Sequence, residues 1–448
     1  MWLRPVADCR RSLRRVSLWA PPSPWTRKKS KVGSIIVGRR LSSSTAADDT
    51  RLPLSVHNLG LDNPVLVSTS TLTSIRQLPE MESAWSDLIF SSSATSQSTL
   101  DQLQRARDVF AGFAKGGAKH VAVCALLAEC QQQLARYEDV LESLEALQEL
   151  GNSSSSSIQL AKAKVLWTRG KFEPAHELCE DLLLQADSSS ALLTASAMNG
   201  KALSLLLSAS SKEEENDTVI PPEVLDLFRD AVSLLEKDSL VLPQTASMAN
   251  WGVAEAHNKK SNNAAQTKWT EALQKLTQQS TASQLLLLLQ ANLHANLAWD
   301  MITKDDRTLS QDDIAKASEH ASLAIRAHDD SHQKQSQESL CRILTVLATC
   351  YHRAGSAVTA EGLFQSATTT TSSMAPLLLL QRHAAYQQYS QLCDQWDKRH
   401  GDALRYQQQA DDIVDQQLPE AWRAAGIIRQ SLLYSSLWFW TPADFFKV

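Results

Sequence analysis

Apolar and small side chains recur along most of this chain at three- and four-residue spacing, and glycine, serine-rich or charged breaks interrupt them. The clearest case runs from Leu344 to Ala367. Leu344, Leu347, Ala348 and Tyr351 form the stripe of one amphipathic helix, Gly355 breaks it, and Ala357, Ala360, Phe364 and Ala367 resume it. The segment reads as two antiparallel helices joined by a tight turn. Upstream, Leu103, Ala106, Val109, Phe110 and Phe113 make one stripe that ends at Gly116-Gly117. Cys124, Leu127 and Ala128 then face Tyr137, Val140, Leu144 and Leu147 in a hairpin. Ala163 and Leu166, a turn at Gly170, and Phe172, Ala175, Cys179 and Leu182 make another.

Beyond it the pairs continue less regularly. Ala191 to Leu207 pairs with Pro222 to Leu235 across the polar insertion SASSKEEENDT, the second helix opening on a helix-start proline. Ala254 pairs with Ala265, Trp269 and Ala272; Leu285 to Met301 pairs with Asp312 to Ala327; and Leu378 to Trp396 pairs with Ala403 to Val414. Val140, Ala175, Ala231, Ala265, Ala317, Ala360 and Ala403 are the small residues expected where second helices cross. A hairpin buries too little apolar surface alone, so neighbours must stack. The expected class is all-α: an α-solenoid of about seven stacked antiparallel helical hairpins. With 14 Gly, 14 Pro and 6% aromatic residues, composition agrees with helices rather than a strand-rich sandwich.

The residues at 344–367 and 124–147 carry more than periodicity. An apolar residue, Leu-Ala, an aromatic, a turn glycine and then small-aromatic-Ala resemble the internal motif of the tetratricopeptide repeat. Tyr137 and Phe172 lie 35 residues apart, close to that repeat's period of 34. The resemblance implies a superhelix over 101–416 whose inner groove, lined mainly by first helices, holds a peptide segment or partner helix. Asn292, Asn296, His352 and Arg353 are the polar first-helix residues expected there; the alternative is a solvated helix face. The carboxylate clamp of one subgroup is not complete here. Asn250, Asn258 and Lys260 come from one hairpin, and neighbouring first helices do not supply the matching Lys and Arg.

The ends differ from the array. Residues 1–41 hold eleven basic side chains against one acid, with Trp2, Leu3, Val6, Leu13, Val16 and Trp19 interspersed. This resembles a mitochondrial transit peptide, with plastid targeting the nearest rival, and no apolar run supports a secretory signal. Residues 42–100 read as a linker with a short helix around Met81 to Phe90. At 417–448, an apolar end with Trp438 and Trp440 is expected either to cap the last hairpin or to expose an aromatic patch to a partner or the inner-membrane surface.

Charge changes the choice of partner. Without residues 1–41 the chain keeps 33 basic and 48 acidic side chains, a net of −15. Non-specific nucleic-acid affinity is mainly electrostatic, so a protein partner is expected and a nucleic acid is not. An organellar RNA-binding repeat is the first rival. The second is an enzyme with an unrecognised active site. Yet no GxGxxG, GxxxxGK[ST], HExxH or GxSxG motif occurs, and the seven cysteines contain no CxxC. His176 with Cys179 makes only a weak metal pair. No cofactor and no catalytic residue is expected.

Overall fold

The computed structural model describes residues 97–442 apart from 114–117, 134–135, 151–154, 186–189, 212–219, 259–262, 280–282, 304–308, 332–336, 370–374 and 424–430. The targeting reading of 1–41, the linker reading of 42–100 as far as residue 96, and the last six residues lie outside them; residues 97–100, read as linker, are helical.

Among the described residues every regular element is helical. A single helix, α1 (Gln97–Phe113), precedes seven hairpins. They are α2 (Ala118–Gln133) with α3 (Tyr137–Glu149), α4 (Ser155–Thr168) with α5 (Phe172–Gln185), and α6 (Ala191–Ser211) with α7 (Pro222–Lys237). Then come α8 (Val241–His257) with α9 (Ala264–Thr277) and α10 (Gln284–Ile302) with α11 (Gln311–Asp330). The last two are α12 (Gln337–Arg353) with α13 (Ala357–Thr369), and α14 (Pro376–Asp394) with α15 (His400–Asp412). Each helix packs on the next, as in an all-α solenoid.

Local chemistry sets the breaks. Gly170 and Gly355 both have positive φ, at 79° and 77°. At the first, Gly170 N donates to Trp167 O and Lys171 N to Leu166 O; at the second, Gly355 N donates to His352 O and Ser356 N to Tyr351 O. This is the paired closure of a helix end on a left-handed residue, which glycine adopts without Cβ strain. Ser239, at φ 57°, closes α7 in the same way. Pro222 opens α7, and a capping box between Ser310 and Asp313 opens α11.

The seven expected crossing residues are all buried, none more than 5% exposed. One member of the α1 stripe departs from expectation. Val109 is 49% exposed while Leu100, Leu103 and Ala106 are buried; among the described residues α1 packs on α2.

First helices of successive hairpins touch one another from α4 through α14, whereas second helices of successive hairpins do not make comparable contact. That asymmetry curves the stack with the first helices inside. After α15 the chain passes through one π-helical turn (Ile413–Gln417) and a 3-10 turn (Glu420–Arg423), and later forms the short α16 (Ser431–Tyr434). Helix α16 packs on α14 and α10, so the carboxyl-terminal segment lies on the inner side of the curve. One continuous hydrophobic cluster joins Trp167, Phe228 and Trp269 of the array to Leu379 of α14 and to Trp422, Phe439 and Trp440 of this segment.

Candidate functional site

The inner face is built from first helices that are apolar nearly all round, with isolated polar residues at buried positions. In α6, Ser196 and Asn199 are fully buried within ALLTASAMNGKALSLLL; in α8, Ser247, Asn250 and His257 are at most 4% exposed. Buried polar groups need partners. Here the carboxyl-terminal segment provides them.

Asn250 Oδ1 accepts from Trp438 N at 3.0 Å, and its Nδ2 donates to Trp438 O at 2.9 Å and to Asn199 Oδ1 at 2.8 Å. Asn199 Nδ2 also donates to Trp438 O, at 3.2 Å. Two residues on, Ser196 Oγ donates to Trp440 O at 2.7 Å, and the Trp440 indole donates to Ser247 Oγ at 3.2 Å. Tyr434 meets His257 through a hydroxyl–Nδ1 bond of 3.1 Å. Four of these contacts address main chain and would fit any residue at those positions.

The side chains of the segment fill shaped spaces. Gly200 faces the Phe439 ring so closely that a Cβ there would lie 2.5 Å from Phe439 Cζ and 2.9 Å from Cys179 Sγ. Trp422 sits against Gly170, packs edge-on to Trp167 at 5.4 Å and Phe172 at 5.3 Å, and donates its indole N–H to Thr168 O at 3.0 Å. An aromatic side chain buries roughly 200 Å², which at about 25 cal/mol per Å² is at most about 5 kcal/mol. A net hydrogen bond contributes about 1 kcal/mol. Aromatic burial therefore holds the segment, and the asparagine and serine bonds set its register.

Arg342 of α12 anchors the other end. Its guanidinium is fully buried; Nε donates to Leu432 O at 2.8 Å, Nη1 to Asn292 Oδ1 at 3.3 Å, and Nη2 to Asn296 Oδ1. Among the described residues no carboxylate pairs with it, and burial pulls its pKa down to about 9. The six residues expected at the partner site are thus placed as follows. Asn292 and Asn296 hold Arg342, and Asn296 is 1% exposed. His352 meets Gln395 Oε1 at 2.9 Å near the end of α12, and Arg353 is exposed beside it, away from this network. Trp438 and Trp440 do come together with first-helix polar residues, but as parts of the chain's own segment. Because Phe439 and Trp440 are 1% and 0% exposed, they form no exposed aromatic patch. They cover the middle of the inner face at α4, α6 and α8, while Leu432 of the same segment packs with Ala384 and Ala403 of the last hairpin.

No protein-family model matches this chain, and no curated protein matches it significantly in sequence.

The remaining chemistry is sparse. Among the described residues no group of three or more His, Cys, Asp or Glu side chains could hold a metal ion. No described helix is long and apolar enough to cross a membrane. Burial pushes the Cys124 thiol up to about 11 and those of Cys179, Cys341 and Cys350 to about 12, which disfavours the nucleophilic thiolate. His294 and His320 approach through their Nδ1 atoms at 3.0 Å. Burial, and for His294 also the charge of its partner, lowers both pKa values, His294 to about 4. An open depression of about 350 Å³ is lined by Arg136, Tyr137, Glu138, Asp139 and Arg169, where Glu138 pairs with Arg169.

The decisive positions Ser196, Asn199, Gly200, Ser247, His257 and Arg342 are not among those singled out by motif or spacing. Their signal in the sequence is polar or glycine residues at apolar-register positions of first helices. A carboxyl-terminal aromatic run that belongs to no hairpin completes it.

Proposed function

We propose that this chain is a non-catalytic protein-binding scaffold or assembly factor, built from tetratricopeptide-like hairpins and directed to mitochondria by residues 1–41. The observation that carries the reading is Asn250, whose side-chain amide pairs with both the N–H and the C=O of Trp438 while Asn199 supports it. Such a contact recognises polypeptide main chain in a non-helical segment, the chemistry needed to hold a peptide on an inner face. The tetratricopeptide assignment draws support from the shared turn closure at Gly170 and Gly355 and the buried small residues at each crossing. Import is supported by the eleven basic side chains of 1–41, and the net of −15 left without them favours a protein over a nucleic-acid partner.

Proximity labelling from the full-length chain and from a version lacking residues 1–41 tests both parts. The expected result is that full-length protein labels a small reproducible set of matrix or inner-membrane proteins, while the truncation labels cytosolic ones. Identical cytosolic or nuclear sets from both would refute mitochondrial import. Salt-sensitive retention of RNA by the purified chain would refute the protein-partner reading.

A further inference from the structure

We infer that the segment around Trp438–Trp440 is a resident ligand on the inner face, and that a partner replaces it with a non-helical segment of the same chemistry, two adjacent aromatic residues following a main-chain anchor. The inference rests on the scaffold reading and names what the scaffold takes.

Three features separate this segment from ordinary core. It belongs to no hairpin: α2 to α15 already pair completely, and the segment meets the array up to 244 residues away in sequence. Its main chain is bound by side chains, with Asn250 and Asn199 on Trp438, Ser196 on Trp440 and Arg342 on Leu432. Its side chain at 439 enters a slot that exists only because position 200 lacks a Cβ. Together these define a receptor with a stated specificity. The anchor residue needs only an N–H and a C=O, the next residue must be a flat ring that fits over Gly200, and the residue after it presents a donor to Ser247.

The partner segment must also be uncharged at these positions. Asn199, Ser196, Ser247 and Gly200 offer no counter-charge, and a buried unpaired carboxylate or ammonium would be strongly disfavoured. A tethered ligand competes at an effective concentration of the order of millimolar, so a free peptide at micromolar concentration does not displace it from the unaltered chain. Weakening the resident copy uncovers the site.

The test uses the full chain and a fluorescent peptide of residues 431–442. The double variant Phe439→Ala/Trp440→Ala weakens the resident segment and leaves every receptor residue intact. It is expected to bind the labelled peptide saturably, at least about tenfold more tightly than the unaltered chain does, a difference of about 1.4 kcal/mol. Adding Gly200→Ala to the double variant is expected to abolish binding, as is replacing the peptide's own phenylalanine by glutamate. The milder Phe439→Leu chain should fall between. No binding to the folded double variant, or loss of its helical circular dichroism, would overturn the inference by making the segment part of the core. Should the unaltered chain form a concentration-dependent dimer that the double variant does not, the occupant is a second copy's tail, and the partner assignment is wrong. These outcomes are distinguishable from failure of the scaffold reading, which is decided by the labelled partners.

Discussion

The first and second helices of these hairpins are buried by different rules. Second helices such as α7 and α9 hide one face and expose the other. In α7, Val224, Phe228, Ala231 and Leu235 are buried at helical spacing while Leu234 is only partly covered. First helices hide nearly everything: in α8, twelve of seventeen residues are buried, among them Gln244, Thr245, Ser247, Asn250 and His257. The second helix meets its own hairpin and its neighbours, whereas first helices also supply hydrogen bonds to the carboxyl-terminal segment, which packs on a second helix at Phe172. A stripe is therefore the signature of the outer layer, and an apolar helix with embedded polar residues is the signature of the inner one.

Substitutions should separate the two layers by size of effect. The largest loss is expected at Trp422→Ala, which empties a fully buried site between Trp167 and Phe172. Chemical denaturation should show a loss of about 3–5 kcal/mol. Asn250→Ala comes next, removing the side-chain bonds to both Trp438 N and its C=O, which keeps Asn199 and Trp440 N. A loss of about 1–3 kcal/mol is expected, with a shift in tryptophan fluorescence reporting the changed surroundings of Trp438.

A smaller effect, confined to acid, is expected at His294→Gln. In the folded chain burial and the charge of His320 hold His294 neutral down to about pH 4, against an ordinary value of 6.5. The unfolded chain binds the proton first as pH falls, so stability present above pH 6.5 is lost between 6.5 and 4. His294→Gln should flatten that limb in denaturation curves recorded across this range and leave pH 7.5 nearly unchanged. The smallest effect belongs to the outer layer. Leu184→Ser, at a side chain 81% exposed on α5, should change stability by no more than about 0.5 kcal/mol in the same assay. A large loss there would erase the distinction between the layers.

The hairpins were legible in the sequence because each is local: Ala357, Ala360, Phe364 and Ala367 lie within one helix, and Gly355 marks its turn. The crossing residues followed from the same spacing, and all seven are buried. Polar residues of the inner layer resisted that reading. Asn296 sits in a first helix as a groove-facing side chain would, yet its partner is Arg342, 46 residues away. Asn250 pairs with Trp438 across 188 residues. Periodicity records which side of a helix is covered and nothing about what covers it. The aromatic run near the carboxyl terminus left a cap on the last hairpin and a partner surface both open, and Val109, placed in the α1 stripe by spacing, is 49% exposed.

Native-state hydrogen exchange on the unaltered full-length chain tests most directly whether the inner face holds its segment as a ligand. The Trp438 and Trp440 amides are expected to exchange through an opening of lower free energy than the central amides of α6 and α8, with the helices protected while the segment leaves. Exchange of all of them at one common free energy, equal to that of global unfolding, would contradict it and make the segment an inseparable part of the core.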